Sequence, residues 1–244
     1  ILILGSGPSG GREGRDKDKR LETSALISTN NKNILINATR FLREQIGKYK
    51  IKRIDAVFLG HGHSDIISGL PDLFEFAGKK VPAYALKETY RAISRKYTKQ
   101  YIIKNVVEPY KKFEIGDLKI VPVSVVHDEV RPERFPAIAW HITFPNKKLI
   151  WCEDFNVDKL PEKSEKYFKN NDIAVLDCAR LETKMIGHNS LIQLIPYIRR
   201  WGNKKTYLIQ IGKDAPHEKI IEVLKKENLY PQTEPAYDGL KILI

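Results

Sequence analysis

The apolar positions of this chain alternate between two spacings. Short runs such as ILIL, TSALIST, NILIN, DAVFLG, VPAYAL, KIVPVSVV, KLIWC, DIAVLD and TYLIQI have the length and β-branched content of buried strands. They predict strands over residues 1–4, 23–29, 33–37, 53–59, 81–86, 119–126, 140–144, 148–152, 172–177, 206–211 and 240–244, with turns at Asn30-Asn31 and Pro145-Asn146. Between them, apolar residues return every three or four positions, the period of a helix with one buried face. These segments predict helices over 41–49, 65–78, 88–99, 190–201 and 217–227, with Asp65 as the cap of the second and Gly78 near its stop. Residues 5–20 (GSGPSGGREGRDKDKR) carry neither period and predict a loop. Strands alternating with helices across short links define the α/β class. Neither a repeat nor a low-complexity linker divides the chain, so residues 1–244 are expected to form a single domain.

Composition narrows this picture. The 244 residues, 42% hydrophobic and 30% charged, suffice for one core and exclude a disordered chain. Every apolar run is far shorter than the ~20 residues of a membrane helix, and no charged-then-apolar leader opens the sequence. No membrane partner and a cytoplasmic location are therefore expected. Cys152 and Cys178 both lie in apolar runs and read as reduced core residues, which fits that location. The net charge of +12 adds attraction to phosphates and makes nucleic acid a candidate partner. Lysine-rich surfaces also serve as ion-pair networks, so charge alone does not decide. The stretch 90–112 interleaves Arg91, Arg95, Lys96, Lys99 and Lys104 with Tyr97 and Tyr101, a pattern that suits a single-stranded nucleic acid. It suits better a helix whose lysine stems lie along its surface. Arg199, Arg200, Trp201, Lys204 and Lys205 form a second basic cluster with the same two readings. Oligomeric state leaves no mark in the sequence.

The chemistry gathers at strand ends. His61-Gly62-His63-Ser64-Asp65 follows DAVFLG directly, and in an extended segment residues two apart project to one side. His61 and His63 can therefore grip one ion, with Asp65 beside them. His127 ends KIVPVSVV, Asp154 follows KLIWCE, and His188 stands in GHNS before a helix. Ligands of α/β proteins collect at such carboxyl ends. Plainer roles exist for several of these residues. Asp65 can be only a helix cap, and His188 or His217 only a helix-entry residue. The run 12–20 reads as a solvated loop, from which Arg12 or Arg15 could reach a phosphate.

The stretch LGHGHSDIISGLPDL resembles the THxHxDHxxGLxxL signature of the metallo-β-lactamase superfamily. The likeness continues through ILILGSG, ILINAT, VSVVHD, WCEDF and GHNS to YLIQIG, in an order most similar to the branch of tRNase Z and the phosphodiesterase of phosphonate breakdown. The resemblance implies a four-layer αβ/βα sandwich with a metal site at the edges of its two sheets, and cleavage of phosphate esters. It also implies that His61, His63 and His127 hold a first metal and that Asp154 bridges to a second.

Departures from the pattern shape the expectation. Ile66 stands where the superfamily has a second-site His, Gln210 where it has a strand-end His, and Asn37 where it has an Asp. The first site keeps three imidazoles and a carboxylate, a donor set for zinc. The second keeps Asp65, the shared Asp154 and at most the weak amide oxygen of Gln210. One ion per chain is expected, zinc first, with manganese or iron as alternatives. Zinc brings the pKa of a bound water from ~15.7 to near ~7, so one ion supports hydrolysis of a small phosphodiester or related ester. Asp65 would orient or deprotonate that water, and His188 would bind a phosphate oxygen or protonate the leaving group. The opposing reading is a degenerate, non-catalytic domain that binds nucleic acid or a protein partner. A third is hydrolysis of a thioester or lactone.

Overall fold

A computed structural model describes residues 1–29, 31–127 and 135–244. Thirteen strands are labelled in chain order: β1 (Leu2–Gly5), β2 (Ser24–Ser28), β3 (Asn33–Ile36), β4 (Ala56–Phe58), β5 (Val81–Ala85), β6 (Ile102–Val106), β7 (Phe113–Ile115), β8 (Leu118–Val125), β9 (Ala137–Thr143), β10 (Lys148–Cys152), β11 (Ile173–Asp177), β12 (Lys205–Ile209) and β13 (Thr233–Pro235). The helices are α1 (Leu42–Tyr49), α2 (Ser64–Ile67), α3 (Leu70–Ala77), α4 (Lys87–Lys96), α5 (Glu162–Phe168), α6 (Leu191–Trp201) and α7 (His217–Lys226). The strands form two sheets, one ordered β1-β2-β3-β4-β5-β6 and the other β13-β12-β11-β10-β9-β8-β7.

Each sheet is buried on both faces, which is why NILI and IAVLD are apolar throughout instead of alternating. Ile34 and Ile36 of β3 and Phe58 of β4 meet Ile120, Trp140, Trp151 and Val175 of the opposite sheet. Leu35 and Val57 turn outward against Leu42, Ile66, Leu70, Leu73 and Ile93 of the first helix layer. On the far side, Ile150, Leu176 and Leu208 pack on Phe168, Leu194, Ile198, Trp201, Ile220 and Leu224. The layers are therefore helix, sheet, sheet, helix, the expected αβ/βα sandwich. The parallel runs β3-β4-β5-β6 and β10-β11-β12-β13 give each sheet a set of carboxyl ends, and the site stands there.

The differences from the expected elements have local causes. The helix expected over 65–78 is two helices, because Gly69 caps α3 with Pro71 just inside it. A Cβ at Gly69 would lie 2.1 Å from the Thr39 carbonyl oxygen, so the chain is pressed too closely there to continue as one helix. Asp65 makes no capping hydrogen bond, and the cap position of α2 is His63. The closing segment 240–244 lies along β1 through Ile3 N to Leu240 O and Ile242 N to Ile1 O, without forming a strand of its own. Elements absent from the expected set are β6, β7, α5 and β13, all short and three of them at or near a sheet edge. Half of the turn expected at Asn30-Asn31 falls on Asn30, outside the described residues. No helix among the described residues is long and apolar enough to cross a membrane.

The aromatic rings of the basic stretch are engaged within the protein. Tyr97 donates its hydroxyl to the Ser68 carbonyl at 3.0 Å and packs edge-on against Tyr101. Lys99 lies 4.6 Å from the centre of the Phe74 ring. These contacts match the helix-surface reading of that stretch.

Candidate metal centre

His61 and His63 leave β4 on a tight segment whose shape depends on Gly62, where a Cβ would meet Ala92 of α4 at 2.7 Å. His127 comes from the end of β8 in the other sheet. The three imidazoles converge, with ring centres 4.6, 4.7 and 5.0 Å apart and one nitrogen from each within 4.8 Å of the others. His127 Nε2 lies 3.1 Å from His63 Nδ1. On its other side, His127 Nδ1–H donates to the Gly187 carbonyl at 2.9 Å, which turns the Nε2 lone pair inward.

Asp154 follows β10 with φ of +51°, a left-handed conformation that aims a buried carboxylate at the histidines. Its Oδ2 is 3.5 Å from His61 Nε2 and its Oδ1 3.5 Å from His188 Nδ1. Burial raises the Asp154 pKa, against the pull of His127 and His188. His61 is driven the other way: burial first, then the neighbouring His127, His63 and His188, hold it well below the ordinary range. It is thus neutral, the form in which imidazole ligates.

His188 has a different environment. Burial pulls its pKa down, but Asp177, Asp154 and Asp65 outweigh this and lift it to about 9. Asp177 Oδ2 stands 3.2 Å from His188 Nδ1 and also accepts the Asn189 amide. Gln210, at φ +61°, donates its side-chain amide to Asp154 Oδ1. It therefore braces the carboxylate. Ile66 is buried against the first helix layer and offers no donor. Asp65, His63, His127, Asp154 and His188 line one cavity of about 800 Å³, with Met185 and Ile186 exposed at its side.

The donor set fits a metal ion. His61 Nε2 is buried without a hydrogen-bond partner among the described residues, although it points at a carboxylate and two other rings. Three imidazoles and a carboxylate facing one point are a zinc-type tetrahedral set, and without a cation their lone pairs would repel.

Other expected residues stand elsewhere. Arg12 is spent on the Gly212 and Ala215 carbonyls at 3.0 and 3.3 Å and on Asp18 at 3.1 Å, so it braces a loop and does not reach into the cavity. Arg15 is exposed at the surface. His217 opens α7 and bonds Arg20. Two buried acids escaped the sequence reading. Asp177 reads there as the last residue of an apolar strand, and Glu153 as a neighbour of Asp154. Burial and Asp154 raise Glu153 to about 8. A carboxylate closing a run as apolar as IAVLD was the available signal, since such a group is rarely buried without a purpose.

A two-sheet sandwich with a histidine and carboxylate cluster at its strand ends defines a metallohydrolase-type architecture. Residues 32–211 match the family described as the beta-lactamase superfamily domain, and the chain belongs to that family. A diphosphatase of the PhnP family shares 27% identity and a TM-score of 0.84, over 99% of this chain and 96% of that one. Zinc-bound PqqB from Methylobacterium extorquens shares 18% identity with a TM-score of 0.83, over 100% and 99% of the two chains. The short form of human tRNase Z shares 14% with a TM-score of 0.73, over 99% and 98%. The resemblance to the tRNase Z and PhnP branch drawn from the motifs agrees with these neighbours. Among curated proteins, an octanoyltransferase of Porphyromonas gingivalis is 28% identical over 267 residues, covering 100% of this chain and 51% of the relative. The chain thus spans about half the length of the curated relative it matches.

Proposed function

We propose that this chain is a metal-dependent hydrolase of small phosphodiesters or phosphoric anhydrides, with one zinc-type ion held by His61, His63, His127 and Asp154. The observation that carries this is the convergence of three imidazoles and a carboxylate around the Nε2 of His61, which has no hydrogen-bond partner among the described residues. Likeness to a PhnP-family diphosphatase along nearly the whole of both chains supports chemistry at phosphorus. When bound, such an ion would acidify a water and polarise a phosphoryl oxygen; manganese or iron would satisfy the same donors.

The protein's own groups supply the rest. Asp65, lining the cavity at the head of α2, takes the proton of the attacking water. His188, held by Asp177 and protonated up to about pH 9, hydrogen-bonds a phosphate oxygen or protonates the leaving oxygen. With Ile66 in the core and Gln210 turned to Asp154, a second ion would keep only Asp65 and the shared Asp154, too few to hold the clamp that two ions would provide.

A second reading, hydrolysis of an acyl thioester or ester, is favoured by the exposed Met185 and Ile186 beside the cavity and by the octanoyltransferase relative. The test sets protein loaded with zinc or manganese against a chromogenic phosphodiester, a diphosphate diester and octanoyl-coenzyme A. Cleavage at phosphorus that Asp154→Ala abolishes is expected. Turnover of the thioester alone would replace the first reading with the second. No turnover with any divalent ion would end both and leave a non-catalytic binding domain.

A further inference from the structure

Two cations line the exposed rim of the same cavity. Strands β11 and β12 are parallel and in register from Ile173↔Lys205 to Asp177↔Ile209. Their pairing outlasts the strands: the Gly212 amide donates to the Ala179 carbonyl at 3.1 Å. Only glycine permits this approach, since a Cβ at 212 would lie 2.6 Å from that oxygen. Arg180 and Lys213 are the next residues of the two segments, and both line the cavity that contains His63, His127 and Asp154.

Floor and rim differ in charge. Asp154 stands at the floor beside the histidines, and the strands that end at Asp177 and Ile209 run on to deliver Arg180 and Lys213 to the same cavity. An anion that touches both cations and the floor must extend outward along these strand ends. Arg180 is paired with Asp214, and its side chain is still 39% exposed. The guanidinium fork is thus held in place by a carboxylate, the kind of group for which a phosphoryl oxygen pair substitutes.

We infer that Arg180 and Lys213 form a subsite for a second phosphoryl group, so that the substrate class is an organic diphosphate. The chemistry rests on the hydrolase reading above; the binding does not. In that reaction, the oxygen of water bonds to the phosphorus at the floor, and the bond from that phosphorus to the bridging oxygen breaks. The electron pair stays on the bridging oxygen, which leaves on the phosphoryl held by Arg180 and Lys213. A diphosphate esterified at both ends gives two phosphate monoesters, one esterified at a single end gives a monoester and inorganic phosphate, and the protons of water pass to the products and to solvent.

The test is a binding measurement that needs no turnover. Calorimetry compares α,β-methylene-ADP, which carries two phosphoryl groups and resists cleavage of the bridge, with AMP, on manganese-loaded protein. Arg180→Gln and Lys213→Gln are each expected to cost at least about tenfold more affinity for the diphosphate than for the monophosphate. Asp214→Asn, which frees the Arg180 fork, is expected to tighten the diphosphate by about threefold or more, a gain that a merely structural ion pair would not give. Equal losses for both ligands, no loss, or no millimolar binding by the unsubstituted protein would overturn the subsite. Failure of every hydrolysis assay while these differences persist would fall on the hydrolase reading and leave the subsite standing.

Discussion

Gly187 has φ of +74°, and a Cβ there would lie 2.4 Å from the carbonyl oxygen of His127 and 2.9 Å from its Nδ1. The carbonyl of the same residue receives the His127 Nδ1–H. One glycine thus fixes both the position and the tautomer of a proposed ligand. Gly187→Ala is expected to weaken zinc affinity by about 10–100-fold, measured by competition with a chromophoric chelator. Unchanged affinity would mean that His127 does not ligate. The structure gathers six candidates singled out in the sequence: His61, His63, His127 and Asp154 because they follow apolar runs, where chain direction places them at a sheet edge, and Asp65 and His188 because they stand at helix entries. Asp177 was hidden by the same rule: it closes its strand as an in-register residue and reads as sheet. The bond from Gln210 to Asp154 could not be read either, because it joins two strands far apart in sequence.

At the scale of elements, long buried strands and amphipathic helices announced themselves, and short edges did not. β6 and β7 lie at the outer edges of their sheets, where one side lacks a partner strand, so their sequences carry less apolar signal. The break between α2 and α3 depends on tertiary contact between Gly69 and the 38–39 backbone, to which helical periodicity is blind. Gly69→Ala would push the α2–α3 corner off Thr39 and is expected to cost about 1–3 kcal/mol. Urea unfolding should show this as a lower midpoint with an unchanged slope. Helix α6 was legible nearly to the residue, since Ser190 and Gln193 form a reciprocal capping box and Gly202 ends it in the left-handed conformation.

Across the whole molecule, the loop 5–20 is tied to the opposite end of the chain. Buried Arg20 donates to Ser6 Oγ at 2.7 Å and to the Ala236 carbonyl, and its Nη2 lies 3.2 Å from His217 Nδ1. Asp238 accepts from the Ser6 and Leu21 amides. Burial, then Arg20 and Lys17, lower His217 to about 4, with Asp18 opposing. Between that value and the ordinary ~6.5 the unfolded chain takes up a proton that the folded chain refuses. The contribution of His217 to stability is therefore full above pH ~6.5, declines as the pH falls, and is spent below about 4. His217→Gln should remove this fall, so that the stability curves of the two proteins change their separation across that window by an amount on the order of 3 kcal/mol. Parallel curves would show that His217 is not held neutral. The net charge of +12 is spread over this frame without deciding a partner; the cations that bear on the site are those at the cavity rim.

The central claim is a single ion bound by three histidines and Asp154. Metal content by plasma mass spectrometry tests it most directly, on protein purified without chelator or nickel and on His61→Ala and His63→Ala. About one zinc-type ion per folded chain is expected, falling to a small fraction in either variant. Two ions per chain would contradict the loss of the second site at Ile66 and Gln210, and protein that stays metal-free after reconstitution would contradict the centre itself.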